Sequence, residues 1–179
     1  MIYDSGEDSF LLEEAVRENA RGKKVLDVGS GSGIQAEAAL EVGASEVLCV
    51  DIDEEVVDFL SEKGFRTIKS DLFSEVPSDE KFELIIFNPP YLPADKREDS
   101  ESSRITSGGL RGDEIMIRFF SEVGDFLEKD GKILIVISSL TPHSRIAAKI
   151  KEKGFQWEKI KEKKIFMETL EVWEIHRKN

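Results

Sequence analysis

From residue 24 onward, apolar runs of strand length alternate with stretches whose apolar positions recur at helical spacing. A chain of this kind stacks βαβ units into a largely parallel sheet. The runs at Lys24 to Val28, Glu46 to Asp51, Arg66 to Lys69, Phe82 to Phe87, Lys132 to Ser138, Gln156 to Lys161 and Glu168 to His176 read as strands. Helical patterns cover Gly33 to Val42, Glu54 to Lys63, Asp113 to Leu127 and Ser144 to Lys153, with Asp53 where an N-cap belongs. Only Glu162 to Phe166 separates the last two strands, too little for a parallel crossover, so they should pair as an antiparallel hairpin. The expected fold is α/β and Rossmann-like, with six strands in one direction and one reversed.

Two segments lie outside this alternation. Ser5-Gly-Glu-Asp8 precedes Phe10, Leu11, Leu12, Ala15 and Val16, the pattern of a capped amphipathic helix lying against the sheet. Residues 1–22 are therefore read as a helical lid over a site. Residues 92–112 show no apolar period and are long for a connection inside one domain, which marks them as a substrate-side loop. The 179 residues fit a single domain spanning 1–179.

Composition narrows the partners. The formal charge of −12 repels phosphate backbones, so nucleic acid is not the expected direct substrate. With Cys49 as its one cysteine the chain can form no internal disulfide, which suits a reducing compartment. No run approaches the roughly 18 apolar residues that span a bilayer, and the first residues are acidic where a signal peptide is basic. A cytoplasmic protein with no membrane partner is the expectation.

Val25-Leu-Asp-Val-Gly29-Ser-Gly31-Ser-Gly33 joins the first strand to the first following helix, at the edge where doubly wound sheets bind ligands. Its glycines do not follow the dinucleotide fingerprint, because Ile34 stands where the third is required. Asp27 would oppose a pyrophosphate, yet it suits the ammonium of an amino-acid-bearing nucleoside such as S-adenosylmethionine. Asp51 ends the second strand where an acidic side chain can accept from both ribose hydroxyls. Ser70-Asp71-Leu72-Phe73 follows the third, where Asp71 is either an ordinary turn aspartate or the acceptor for an adenine amino group beside Leu72.

Asn88-Pro89-Pro90-Tyr91 directly follows the apolar run Leu84 to Phe87. Two prolines fix the backbone and remove two N–H donors, leaving the Asn88 side-chain oxygen and the Pro89 carbonyl as uncontested acceptors. A planar NH2 group has two hydrogens to give. Holding both orients its nitrogen for in-line attack on a sulfonium methyl, and Tyr91 can stack on the planar group. In isolation the same four residues also read as a turn initiator.

Taken in order, Asp27 to Gly33, Asp51, Asp71 to Phe73 and Asn88 to Tyr91 resemble the class I S-adenosylmethionine-dependent methyltransferases, and within them the HemK/PrmC glutamine methyltransferases. Tyr3-Asp-Ser-Gly-Glu7-Asp8-Ser9-Phe-Leu-Leu12 is similar to the start of the short archaeal and eukaryotic branch, with Ser5 in place of its usual proline. Gly108-Gly109-Leu-Arg-Gly112 resembles that branch's glycine-rich segment. The resemblance implies a seven-stranded methyltransferase sheet and methylation of the Gly-Gly-Gln glutamine of a class I release factor. It places Asn88, Pro89 and Tyr91 in catalysis, and Asp27, Gly29, Gly31, Gly33, Asp51, Asp71, Leu72 and Asn88 around the cofactor. Tyr3, Asp8, Ser9, Pro90, Gly108 and Gly109 fall on the substrate side.

Relatives of that branch pair with a small zinc-binding activator subunit. The corresponding place here is the edge strand Arg66 to Lys69, where some of Val56, Phe59, Leu60, Phe65 and Ile68 should remain partly exposed. Two other functions keep the same motifs: an N-methyltransferase acting on adenine or guanine bases, and a scaffold without activity. His143 and His176 lack a second ligand at metal spacing, so no metal is expected. Cys49, Trp157 and Trp173 are read as core.

Overall fold

The computed structural model describes residues 6–90 and 112–178. Its strands are β1 (Lys24–Val28), β2 (Glu46–Asp51), β3 (Arg66–Lys69), β4 (Phe82–Phe87), β5 (Leu127–Ser138), β6 (Phe155–Ile165) and β7 (Glu168–Arg177). They form one sheet in the order β3-β2-β1-β4-β5-β7-β6. Strands β1 to β5 run parallel, and β7 is antiparallel to both β5 and β6, so one strand of seven is reversed, as the sequence implied. Central strands are covered on both faces, which is why β1 and β4 read as nearly unbroken apolar runs.

The helices α1 (Glu7–Asn19), α2 (Ile34–Glu41), α3 (Glu54–Glu62), α4 (Glu114–Glu122) and α5 (His143–Glu152) divide between those faces. On one, Leu12, Ala36 and Leu60 from α1, α2 and α3 pack on Val25, Leu84, Ile86 and Val136. On the other, Phe119 from α4 and Ile146 from α5 pack on Leu26, Val28, Phe87 and Ile135. Successive strand residues thus feed opposite cores, the two-residue period of a strand buried on both sides.

Four expectations change. The helix foreseen over Asp113 to Leu127 ends at Glu122 and passes through a 3-10 turn at Val123–Asp125 into a β5 that starts at Leu127. Between the pairs Phe82–Leu127 and Leu84–Lys132 that strand makes an excursion. A Cβ on Gly131 would lie 2.8 Å from Leu127 and 3.0 Å from the Phe82 carbonyl, so this crossing needs glycine. Strand β6 runs on to Ile165, leaving a two-residue turn where a longer link was expected, and the register shifts between Lys159 and Lys161, a bulge at Ile160. Trp157 is not core: it is 40% exposed and stacks on buried Trp173 at 3.6 Å between ring centroids. Finally, Gly6 occupies the α1 N-cap position without a side-chain bond, and Phe10 faces outward. The expected Ser5 cap falls outside the described residues.

Candidate active site

Three parallel strands, β1, β2 and β4, bring their carboxyl ends to one line, and each end carries a polar group. After β1, Gly29, Gly31 and Gly33 all adopt left-handed φ, of 65°, 50° and 82°. Gly33 has a second reason: a Cβ there would stand 2.6 Å from Leu60 of α3. The loop is tied down by Gly29 N–H and Ser30 N–H, which donate to the Val50 carbonyl at 2.8 and 3.1 Å.

Asp51 sits at the end of β2 and fastens the loop from the other side. Its Oδ2 accepts from Gly31 N–H and its Oδ1 from Asp53 N–H, both at 3.0 Å. Each carboxylate oxygen has further lone-pair capacity for a ligand hydroxyl. Burial raises the Asp51 pKa, opposed in part by those backbone donors. Asp53 is the N-cap of α3, accepting from Glu55 N–H at 3.0 Å.

Asp27 is buried, and its Oδ2 has no hydrogen-bond partner. Desolvation, followed by the nearby Asp51 charge, pushes its pKa up to about 7. A buried unpaired carboxylate oxygen is costly unless a cation or donor reaches it.

After β3, Leu72 (φ 53°) and Phe73 are buried, and Ser70 Oγ donates to the Leu72 carbonyl at 2.9 Å. Asp71 is half-exposed, its Oδ2 accepting from Arg118 Nη2 of α4 at 3.0 Å. Its carboxylate is therefore shared with a cation that the sequence reading did not single out.

Asn88 follows β4, next to the glycine loop because Phe87 and Val28 are register partners. Its Nδ2 donates to Asp8 Oδ2 at 3.0 Å and to Ser9 Oγ at 3.3 Å, both buried on the first turn of α1. A carboxylate only accepts, so Asp8 fixes which way the amide faces. The Asn88 Oδ1 is left buried and without a partner. Pro89 is buried and Pro90 half-buried. Gln35 of α2, missed from sequence, steadies this turn by donating from Nε2 to the Ser9 carbonyl at 2.8 Å. A glutamine within the alanine-rich start of α2, directly after the glycine loop, was the available signal.

Tyr91, Tyr3, Gly108 and Gly109 lie outside the described residues. His143 Nε2 donates to the Ser138 carbonyl at 2.8 Å and His176 meets Gln156, while no cluster of three metal-ligating side chains occurs among the described residues. Cys49 is buried, and burial pushes its thiol pKa up.

Strand order, the glycine loop and the acidic and amide groups on one edge define an α/β methyltransferase. The chain matches the Methyltransferase small domain family over residues 3–167, and it belongs to that family, as a class I enzyme of HemK type. It is 35% identical over 179 aligned residues to a proposed protein N5-glutamine methyltransferase of Methanocaldococcus jannaschii, covering 96% of this chain and 89% of that one. It is 31% identical to the human methyltransferase HEMK2, covering 96% of this chain and 87% of that one. Among solved structures it resembles the E. cuniculi Mtq2–Trm112 complex responsible for methylating the termination factor eRF1, at 25% identity, 99% coverage of both chains and a TM-score of 0.80. The methyl donor of this class is S-adenosylmethionine, and the orphaned Asp27 oxygen fits its ammonium group.

Proposed function

We propose that this chain methylates the side-chain amide nitrogen of a glutamine in a protein, and that the protein is a class I release factor presenting Gly-Gly-Gln. The observation that carries this is Asn88: its NH2 is occupied by Asp8 and Ser9, and its buried oxygen is left without a partner, with its accepting capacity unused. Oδ1 accepts one hydrogen of the substrate NH2, and the Pro89 carbonyl accepts the other. The two acceptors hold the nitrogen in one orientation and draw its hydrogens away from the attack direction.

On the donor side, Asp27 pairs with the cofactor ammonium, Asp51 accepts from the ribose hydroxyls, and Gly29, Gly31 and Gly33 admit the amino-acid end close to the backbone. Leu72 and Asp71 flank the adenine. When bound, S-adenosylmethionine supplies the electrophilic methyl. The names of the relatives support the acceptor class: a protein N5-glutamine methyltransferase and the eRF1-methylating complex.

The same solved complex supports a small activator partner, and the resemblance makes it zinc-binding. Strand β3 is an edge, as expected, with Phe59, Phe65 and Ile68 partly exposed while Val56 and Leu60 are buried. We place the activator there, adding a strand to β3.

Mass spectrometry of release factor incubated with this chain, the activator and isotopically labelled cofactor tests the proposal. A labelled methyl on the Gly-Gly-Gln glutamine is expected. Cofactor binding with no label on that residue overturns it.

A further inference from the structure

The turn closing the β6–β7 hairpin consists of Phe166 and Met167, 93% and 83% exposed, between the paired residues Ile165 and Glu168. Neither suits its place. Met167 has φ +60°, where glycine or asparagine is favoured, and two large apolar side chains gain nothing by standing in water. The turn is nonetheless firmly anchored. Ser138 Oγ donates to Glu168 Oε1 at 2.5 Å, Ser139 N–H to the Thr169 carbonyl at 2.8 Å, and Thr169 N–H to Ser139 Oγ at 2.9 Å.

Register places this tip above the reaction site. Leu170 pairs with Ser138 at the carboxyl end of β5, so the turn overhangs that end. Asn88 follows Phe87, which is in register with Ile135, three positions short of Ser138 on the same strand. At about 3.3 Å per residue the tip stands roughly 15–20 Å above the level of Asn88, and two strand spacings, roughly 10 Å, to one side. The ion pair between Lys163 and Glu7 ties β6 to the first residue of α1, adjoining the Asp8 that holds Asn88. Half-exposed Leu140, in the turn after β5, and Phe10, on the first turns of α1, extend the apolar rim on this edge.

We infer that Phe166 and Met167 form a docking tip for the acceptor protein, inserting into an apolar depression beside its glutamine loop. The inference rests on the acceptor being a folded protein, as proposed above. Any such protein delivering a side chain to Asn88 must lie against the overhang, whereas a short peptide held at Asn88 does not extend to it. Side chains that work against their own turn are accounted for by burial on binding.

The test is Phe166→Ser/Met167→Gly, which places the favoured residue at the left-handed position, so folding should not suffer. With the wild-type chain and variant compared, each together with the activator, KM for release factor should rise roughly tenfold or more with kcat little changed. For a short Gly-Gly-Gln peptide, kcat/KM should stay within about twofold. Unchanged kinetics on release factor overturn the inference, as do equal losses on protein and peptide. Loss of self-association in the variant, with release-factor kinetics intact, assigns the tip to a second copy and also overturns it. If the wild-type chain binds cofactor but methylates neither acceptor, the functional proposal itself fails, an outcome the variant is not needed to see.

Discussion

The carboxyl edge of the sheet has two halves, and in each a side chain at a strand end leaves a buried oxygen without a partner. In the half formed by β1 and β2 it belongs to Asp27, a carboxylate whose pKa is pushed to about 7. In the half formed by β4 and α1 it belongs to Asn88, a neutral amide. A charged orphan attracts a cation and answers to pH; a neutral orphan accepts from an uncharged N–H and does not. On the proposed function, the edge separates a charge-selective donor pocket from a charge-indifferent acceptor pocket, the division that a methyl transfer from a sulfonium amino acid to a carboxamide needs.

The sharpest way to break this division is Asn88→Ala. Methyl transfer should fall by about 10³ or more, comparable to losing an oriented catalytic hydrogen-bonding group, while cofactor affinity measured by calorimetry stays within about twofold. Joint loss of binding and transfer would make Asn88 a structural residue of both halves.

Next in size is Asp51→Ala on the donor side. Charge-assisted hydrogen bonds of about 1.5–3 kcal/mol each give a roughly 10- to 100-fold weaker cofactor affinity. Turnover at saturating cofactor should change little. Unaltered affinity would remove Asp51 from the ribose.

The pH dependence separates the halves without substantial mutation. Asp27 has a folded pKa raised above its ordinary value of 3.8, so its protonated form is the one the free fold favours. Below pH 4 the carboxyl is protonated folded and unfolded, and stability contributed by this group is lost as pH rises towards 7, by on the order of 4 kcal/mol. An ammonium ligand prefers the ionised form, so cofactor affinity should instead rise roughly fivefold between pH 6 and pH 7.5, before the ligand's own ammonium begins to lose its proton. Asp27→Asn should flatten that profile, and the free variant should lose less stability over the same range. A wild-type profile that is already flat would contradict the pairing.

The smallest expected effect on cofactor binding and turnover by the lone chain is from Ile68→Asp on the β3 edge; because the side chain is partly buried and packs on the core, stability should fall by about 1–3 kcal/mol. Its consequence appears with the activator present: co-expression should raise solubility and cofactor affinity for the native chain and not for this variant. Retention of the gain would place the activator elsewhere.

Much of this molecule follows from local sequence. Alternating apolar runs specify a sheet covered on both faces, and the short link after β6 requires an antiparallel hairpin, because these depend on period and length alone. The glycine loop, Asp51 and Asn88 are legible for the same reason: chemistry at strand ends is displayed in chain order. What local sequence does not contain is the partner that each group finds across the fold. Asp8 lies 80 residues from Asn88 in sequence, and only packing of α1 against the sheet makes it the residue that turns the amide. Arg118 reaches Asp71 across 47 positions, and Gln35 reaches Ser9 across 26. Trp157 and Trp173 face each other across one hairpin, yet the edge strand leaves Trp157 exposed while Trp173 is buried. Periodicity determines which elements form and which faces are apolar; the identity of the long-range neighbours, and with it which buried oxygens remain free for ligands, is decided when those faces close on one another.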